Sequence, residues 1–277
     1  MIISYDGHIH SPFCPHGSTD LFEDYVEAAT QFGYKGMTFT EHAPLPQNFH
    51  DPVPNQDSGM KWEVLENYFE NIQQLKHRFK GKIEINCGLE VDYIEGYEEE
   101  TRQFLNTVGP QLDDAILSVH FLKEGTNYTC LDYSPEAFEQ LIASLGSVDM
   151  VHQKYYETLL KSVHADLGKY KPTRIGHITL ANKFQKKHPS KSSFFSEIST
   201  LLDAIKERGF SLDYNGAGTV KPLCGEPYPT DWVIREAIKR EIPLVYGSDA
   251  HSAKGIGQGA ERLLTHSLQS PTLLSRS

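Results

Sequence analysis

The sequence predicts an α/β fold in which seven parallel strands, most of them followed by a helix, close into a barrel. Three observations predict it. Short apolar runs alternate with amphipathic stretches along the 277 residues. They resolve into seven strand-then-helix units, and a closed barrel is the economical way to arrange that many parallel strands. Each expected strand also ends in a polar or metal-type cluster, the place where barrel enzymes carry their catalytic groups.

The elements follow in order. Strand Ile2–Asp6 leads to helix Thr19–Phe32, with Ser18 or Thr19 as cap and Gly33 as stop. Strand Gly36–Thr40 leads to an irregular loop, Pro44–Ser58, whose Pro44, Pro46, Pro52 and Pro54 keep it out of regular structure over the strand ends. Helix Gly59–Phe79, strand Lys82–Cys87 and helix Glu98–Val108 come next. Strand Asp114–Val119 precedes helix Ser134–Leu145, with Ser134 as cap and Pro135 at the first helical position, and helix Val148–Leu167. Strand Arg174–Ile178 precedes helix Ser192–Arg208, which Gly209 ends. Strand Phe210–Tyr214, the Gly- and Pro-rich loop Asn215–Thr230, helix Asp231–Arg240 and strand Pro243–Tyr246 complete the set. The tail from Thr265 reads as frayed.

Charge and cysteine usage narrow the function. With 26 Lys+Arg against 37 Asp+Glu, the net charge of −11 argues against a nucleic-acid surface or an anionic-membrane anchor, both of which need a basic footprint. The N-terminal MIISYDGHIH has neither the basic region nor the apolar run of a signal peptide, and no stretch reaches the roughly 18 apolar residues of a membrane span. Cys14, Cys87, Cys130 and Cys224 form no CxxC pair, which argues against a disulfide framework or a Cys-type zinc site. A cytoplasmic protein with reduced thiols is expected.

The 13 His need a reason. The strand endings supply His8 and His10, Glu41 and His42, Glu90 and Asp92, His120, His177, Asp213 and Asn215, and Asp249 and His251. In an extended strand His8 and His10 point the same way and can reach one ion. His16 follows in the first loop, within reach of a neighbouring ion, and Glu90 can bridge two. Imidazole with carboxylate suits Zn, Mn or Fe. Seven His and two or three carboxylates exceed the four ligands of one tetrahedral zinc, so two or three divalent ions are expected. The other six, His50, His77, His152, His164, His188 and His266, fall in loops or on helix faces and read as ordinary solvated side chains. His50 is the one to watch, because its loop covers the site.

The ordered set HxH, a third His at His16, TEH, Gly88-x-Glu90, SxH, GH and GSDAH resembles the polymerase and histidinol phosphatase (PHP) family, from Tyr5 to about Gly257. GLEVDY, SVHF, RIGHI and GEPYP look most like its bacterial monofunctional histidinol-phosphatases. The resemblance implies a distorted (β/α)7 TIM-like barrel, residues 1–277 forming a single PHP-type metal-dependent phosphoesterase, with a trinuclear centre at the C-terminal strand ends. It implies a first ion on His8, His10, Glu90 and Asp249, a second on Glu90, His120 and His177, and a third on His16, His42 and His251. The implied reaction is hydrolysis of L-histidinol phosphate to L-histidinol and phosphate, in histidine biosynthesis. A hydroxide bridging two ions beside Glu90 would attack phosphorus, and Asp249 or His251 would protonate the leaving alcohol.

Arg174 is the first candidate for a phosphate contact through its bidentate fork, against a structural reading as a barrel ion pair. Lys221 is the nearest cation where relatives carry an Arg near Val220. Asp92 either accepts the substrate's ammonium group or orients a ligand His. Competing readings keep the family and change the ester to a nucleotide or phosphotyrosine, or change the chemistry to an amidohydrolase-type C–N hydrolase. The latter usually wants a bridging Lys where this chain has Glu90, and no Lys ends an expected strand. A non-catalytic metal-binding barrel would hydrolyse no ester at all.

Overall fold

The computed structural model describes residues 3–264 and 268–274. Its strands are β1 Tyr5–Ile9, β2 Gly36–His42, β3 Glu84–Asp92, β4 Asp114–Ser118, β5 Phe121–Glu124, β6 Asn127–Cys130, β7 Arg174–Ile175, β8 Ser211–Asn215 and β9 Leu244–Gly247. Its helices are α1 Phe22–Gln31, α2 Leu65–Arg78, α3 Glu98–Val108, α4 Pro135–Leu145, α5 Val148–His164, α6 Phe195–Glu207 and α7 Asp231–Lys239. Seven strands form one parallel sheet in the order β1-β2-β3-β4-β7-β8-β9. The two edges meet through a bridge from Ile9 to Ala250. There the His10 N–H donates to Ala250 O (3.0 Å) and the Asp249 N–H to His8 O (2.7 Å). The result is a nearly closed (β/α)7 barrel, as expected.

Parallel strands covered on both faces are buried throughout, and β1, β2, β4, β8 and β9 have no exposed residue. The helices turn one apolar stripe inward, such as Tyr25, Val26 and Ala29 of α1 or Tyr68, Phe69 and Ile72 of α2. Each such large side chain contributes about 1.5–3 kcal/mol. No helix among the described residues is long and apolar enough to cross a membrane.

The differences from expectation sit mainly at element ends. β1 begins at Tyr5 and runs through Ile9, and β3 continues to Asp92, so His8, Glu90 and Asp92 lie inside the strands and His10 directly after β1. α1 starts at Phe22 instead of Thr19, because the Asp24 carboxylate, not Ser18 or Thr19, accepts the N–H at the cap, that of Leu21 (2.8 Å). α2 starts at Leu65, six residues after Gly59, and α6 at Phe195. Ser134 caps α4 as expected, accepting from Ala137 N (3.1 Å). The β5–β6 hairpin is an addition. Part of the tail is not frayed: the Gln269 N–H donates to Leu244 O and the Leu274 N–H to Asp113 O, both at 2.8 Å. Residues 265–267 and 275–277, with the expectation for His266, lie outside the described residues.

Candidate metal centre

The strand endings converge on one carboxylate. Glu90, at the end of β3 and 1 % exposed, has five imidazoles around it. His8 Nε2, His10 Nε2 and His42 Nδ1 stand 3.3, 3.5 and 3.2 Å from its Oε2. His177 Nε2 and His120 Nε2 stand 3.0 and 3.8 Å from its Oε1. Asp249, just after β9 and beside β1, comes within 3.1 Å of His10 Nε2, 3.8 Å of His8 Nε2 and 3.5 Å of His251 Nδ1. The His10 ring lies 4.2 Å from that of His42 and 3.9 Å from that of His251, centroid to centroid.

A ring of partners behind these groups sets their orientation. Asp213 Oδ2 meets His8 Nδ1 at 2.9 Å, Glu41 Oε1 meets His10 Nδ1 at 3.1 Å, and Asp92 Oδ1 meets His120 Nδ1 at 2.8 Å. Each carboxylate holds Nδ1–H and turns Nε2 toward the mouth. Glu41 is itself held by the Ser11 N–H and hydroxyl (2.8 and 2.5 Å). Ser118 donates to Glu90 Oε1 (2.6 Å), and Asn215 Nδ2 donates to both Asp213 (3.0 Å) and Asp249 (3.1 Å). The Asp-Tyr-Asn ending of β8 thus positions ligand-type groups.

Without a cation this cluster is electrostatically uneven. Burial opposes charge on His8 and His120, yet Asp213 with Glu90, and Asp92, hold their pKa values up at about 10. Burial and the neighbouring His10 push His42 and His251 well below the usual imidazole value. Burial resists charge on Glu90 too, but His8 and His42 hold its carboxyl well below the usual range. His8 Nε2, His10 Nε2 and His42 Nδ1 are buried without a hydrogen-bond partner, a state that costs roughly 1–3 kcal/mol per group. Divalent cations would satisfy all three, and the residues present fit them. Three groups bring their donor atoms within 4.8 Å of one another: His8, His10 and Asp249; Glu90, His120 and His177; and His10, Cys14, His42 and His251.

The third group differs from expectation. His16 stands beside it, 5.1 and 5.2 Å from the rings of His42 and His251, and donates from Nδ1 to Asp57 O (2.9 Å). Cys14 is in the group instead, although cysteine spacing gave no reason to place a thiol near metal. The four cysteines form no disulfide.

The mouth opens into a cavity of about 480 Å³ walled by Asp92, Asp132, Lys183, Lys221 and Tyr228. Lys221 and Asp92 both line this cavity. Arg174 does not. It lies 2 % exposed inside the barrel, with Nη2 2.5 Å from Asp114 Oδ2. The expected phosphate contact is replaced by an internal ion pair, because the two-residue β7 turns Arg174 away from the mouth that His177 enters. A Cβ on Gly7 would meet the Arg174 guanidinium at 2.2 Å, so only glycine leaves it room. Lys183 and Asp132, paired at 2.8 Å, were not legible in sequence. Burial opposes the Lys183 charge, but Asp132 raises its pKa. His50 meets Gln56 (3.5 Å) on the surface and does not line the mouth. His152 is buried rather than solvated.

A PHP domain model matches residues 6–217. The chain belongs to the PHP family. This PHP chain is 48% identical over 261 residues to the histidinol-phosphatase of Bacillus subtilis (strain 168), covering 94% of its own length and 97% of the relative's. The crystal structure of a Listeria monocytogenes protein assigned as a histidinol phosphatase matches with a TM-score of 0.89 at 37% identity, covering 93% and 99% of the two chains. The histidinol phosphate phosphatase of Lactococcus lactis, crystallised with zinc, L-histidinol and phosphate, shares the fold with a TM-score of 0.70 at 22% identity, covering 100% and 98%.

Proposed function

We propose that this chain is a histidinol-phosphatase, a metal-dependent phosphomonoesterase that hydrolyses L-histidinol phosphate to L-histidinol and phosphate in the cytoplasm. What carries the reading is the convergence of five imidazoles on Glu90 in a chain 48% identical over almost its whole length to a protein of that activity. Residues 1–277 act in it as a single PHP-type barrel.

Two or three divalent ions, of Zn, Mn or Fe, would be held by His8, His10, His16, His42, Glu90, His120, His177, Asp249 and His251, with Cys14 beside the last set. Bound there, such ions supply Lewis acidity and bring the pKa of water from ~15.7 to near ~7. The protein's own groups do the rest. Glu90, central to the cluster, links the metal-binding groups. Lys183 and Lys221 face the cavity and offer cationic contacts to the phosphate. Asp92 and Asp132 offer carboxylates to the substrate's ammonium or imidazole end. In-line displacement forms a bond from a water oxygen to phosphorus and breaks the bond between phosphorus and the ester oxygen; the proton that the water gives up would pass through Asp249 and His251, whose Oδ1 and Nδ1 are 3.5 Å apart, to the leaving oxygen.

Among the described residues no lysine ends a strand, and Glu90 stands where an amidohydrolase-type barrel would want its bridging Lys. The test is phosphate release from a panel of esters by metal-loaded protein. L-Histidinol phosphate should exceed nucleoside monophosphates and phosphotyrosine in kcat/KM by about 100-fold or more, a difference of about 2.7 kcal/mol in transition-state binding. Equal turnover across the panel would refute the substrate assignment.

A further inference from the structure

A second cavity is larger than the one that receives the imidazoles. It encloses about 690 Å³ between α5, the segment after β7 and the starts of α6 and α7. Three polar atoms on its lining have no hydrogen-bond partner: His152 Nε2, Thr179 Oγ1 and Thr230 Oγ1. Their residues are only 2, 1 and 8 % exposed, so bulk water does not serve them.

Two helices begin at the wall of this cavity, α6 after Phe194 and α7 after Thr230, and neither N-cap side chain closes the first turn. Thr230 occupies a capping position, yet its hydroxyl takes no helix N–H. Open first-turn N–H groups and the helix dipole favour an anionic group. Arg262 adds a guanidinium at the rim, while Glu226 and Asp231 add carboxylates. The interior is neutral and flat-sided. Burial lowers the His152 pKa to about 4, and its ring stacks on Phe194 at 5.3 Å and 12°.

We propose that this cavity binds a free α-amino acid. The carboxylate sits at the start of α6 with Arg262, and the ammonium group faces Glu226 and Asp231. The side chain lies on Phe194, within reach of His152 and Thr179. An apolar ligand would leave three buried polar groups unpaired, at roughly 1–3 kcal/mol each. A polyanion such as phosphate would meet Glu226 and Asp231. A zwitterion satisfies both signs of charge. The proposal does not depend on the phosphatase reading, because none of these residues touches the metal cluster.

The test is isothermal titration of the metal-loaded protein with each free L-amino acid, with the fluorescence of Trp232, on the cavity lining, as a second readout. At least one amino acid should bind saturably with Kd below about 1 mM. Thr230→Val, which removes a hydroxyl and keeps the shape, and Arg262→Gln, on the surface, should each weaken that binding about tenfold, equivalent to about 1.4 kcal/mol. The absence of saturable binding by any amino acid would overturn the proposal, leaving the cavity to water. So would equal affinity in wild type and both variants, which would place the binding elsewhere.

Discussion

At the scale of single residues the site turns on Glu90, which shares its two oxygens among five imidazoles. Glu90→Ala should lower kcat by at least about 1,000-fold and reduce the metal bound per chain, measured by metal analysis; normal turnover would contradict its place at the centre. Asp213→Asn keeps the shape behind His8 but loses the charge that fixes its tautomer, and should weaken metal affinity by about 10–100-fold in a competition titration. The main ligand set was legible in sequence, because each group ends a strand and strand ends share one mouth. Cys14 and Lys183 were not legible. Cys14 reaches the site from an irregular loop and Lys183 from a short 3₁₀ helix, Leu180–Phe184, and neither is long enough for a periodicity that says which way a side chain faces. Asp213 and Glu41 were visible as polar endings, but only the packed barrel shows that they stand behind the imidazoles.

At the scale of elements, the seven barrel strands were legible in number and order, and their ends were not. His8, Glu90 and Asp92 fall just past the expected strand bounds, yet they lie within or at the end of β1 and β3, and His10 directly follows β1, all four buried. Function overrode the local pattern at those positions. The short β7 carries Arg174, whose place beside Asp114 makes it a structural residue. Breaking a buried pair by removing one partner costs about 3–5 kcal/mol. Arg174→Met should therefore lower stability by about that amount in denaturant unfolding while KM for the phosphate ester stays within about twofold. A large rise in KM with unchanged stability would restore the phosphate contact that the sequence suggested. The β5–β6 hairpin escaped notice because its four-residue strands are only partly buried and show little alternation.

At the scale of the whole molecule, an acidic chain of net charge −11 presents its substrate with a mouth rich in imidazole. The two or three divalent ions proposed for it would add about +4 to +6 there, enough to draw a phosphate into a chain whose net charge opposes long polyanions. The metal-free chain should behave differently with pH. His8 and His120 have pKa values near 10 when folded, against 6.5 in the reference state. Their protons are thus held more tightly by the folded chain. That stabilisation is complete below pH ~6.5 and is lost as pH rises through ~10. Thermal unfolding of chelated protein should show Tm falling across this window. The loaded protein should not follow, because its ligands are already deprotonated. A chelated Tm that rises from pH 7 to 10 would contradict the electrostatic picture of the cluster. The measurement closest to the central claim is phosphate release from L-histidinol phosphate by the loaded protein, by the same protein after chelation, and after metal is restored. The expected result is rapid release, loss of activity on chelation, and recovery with at least two ions bound per chain. Absence of release from fully loaded protein, or release undiminished by chelation, would contradict the account.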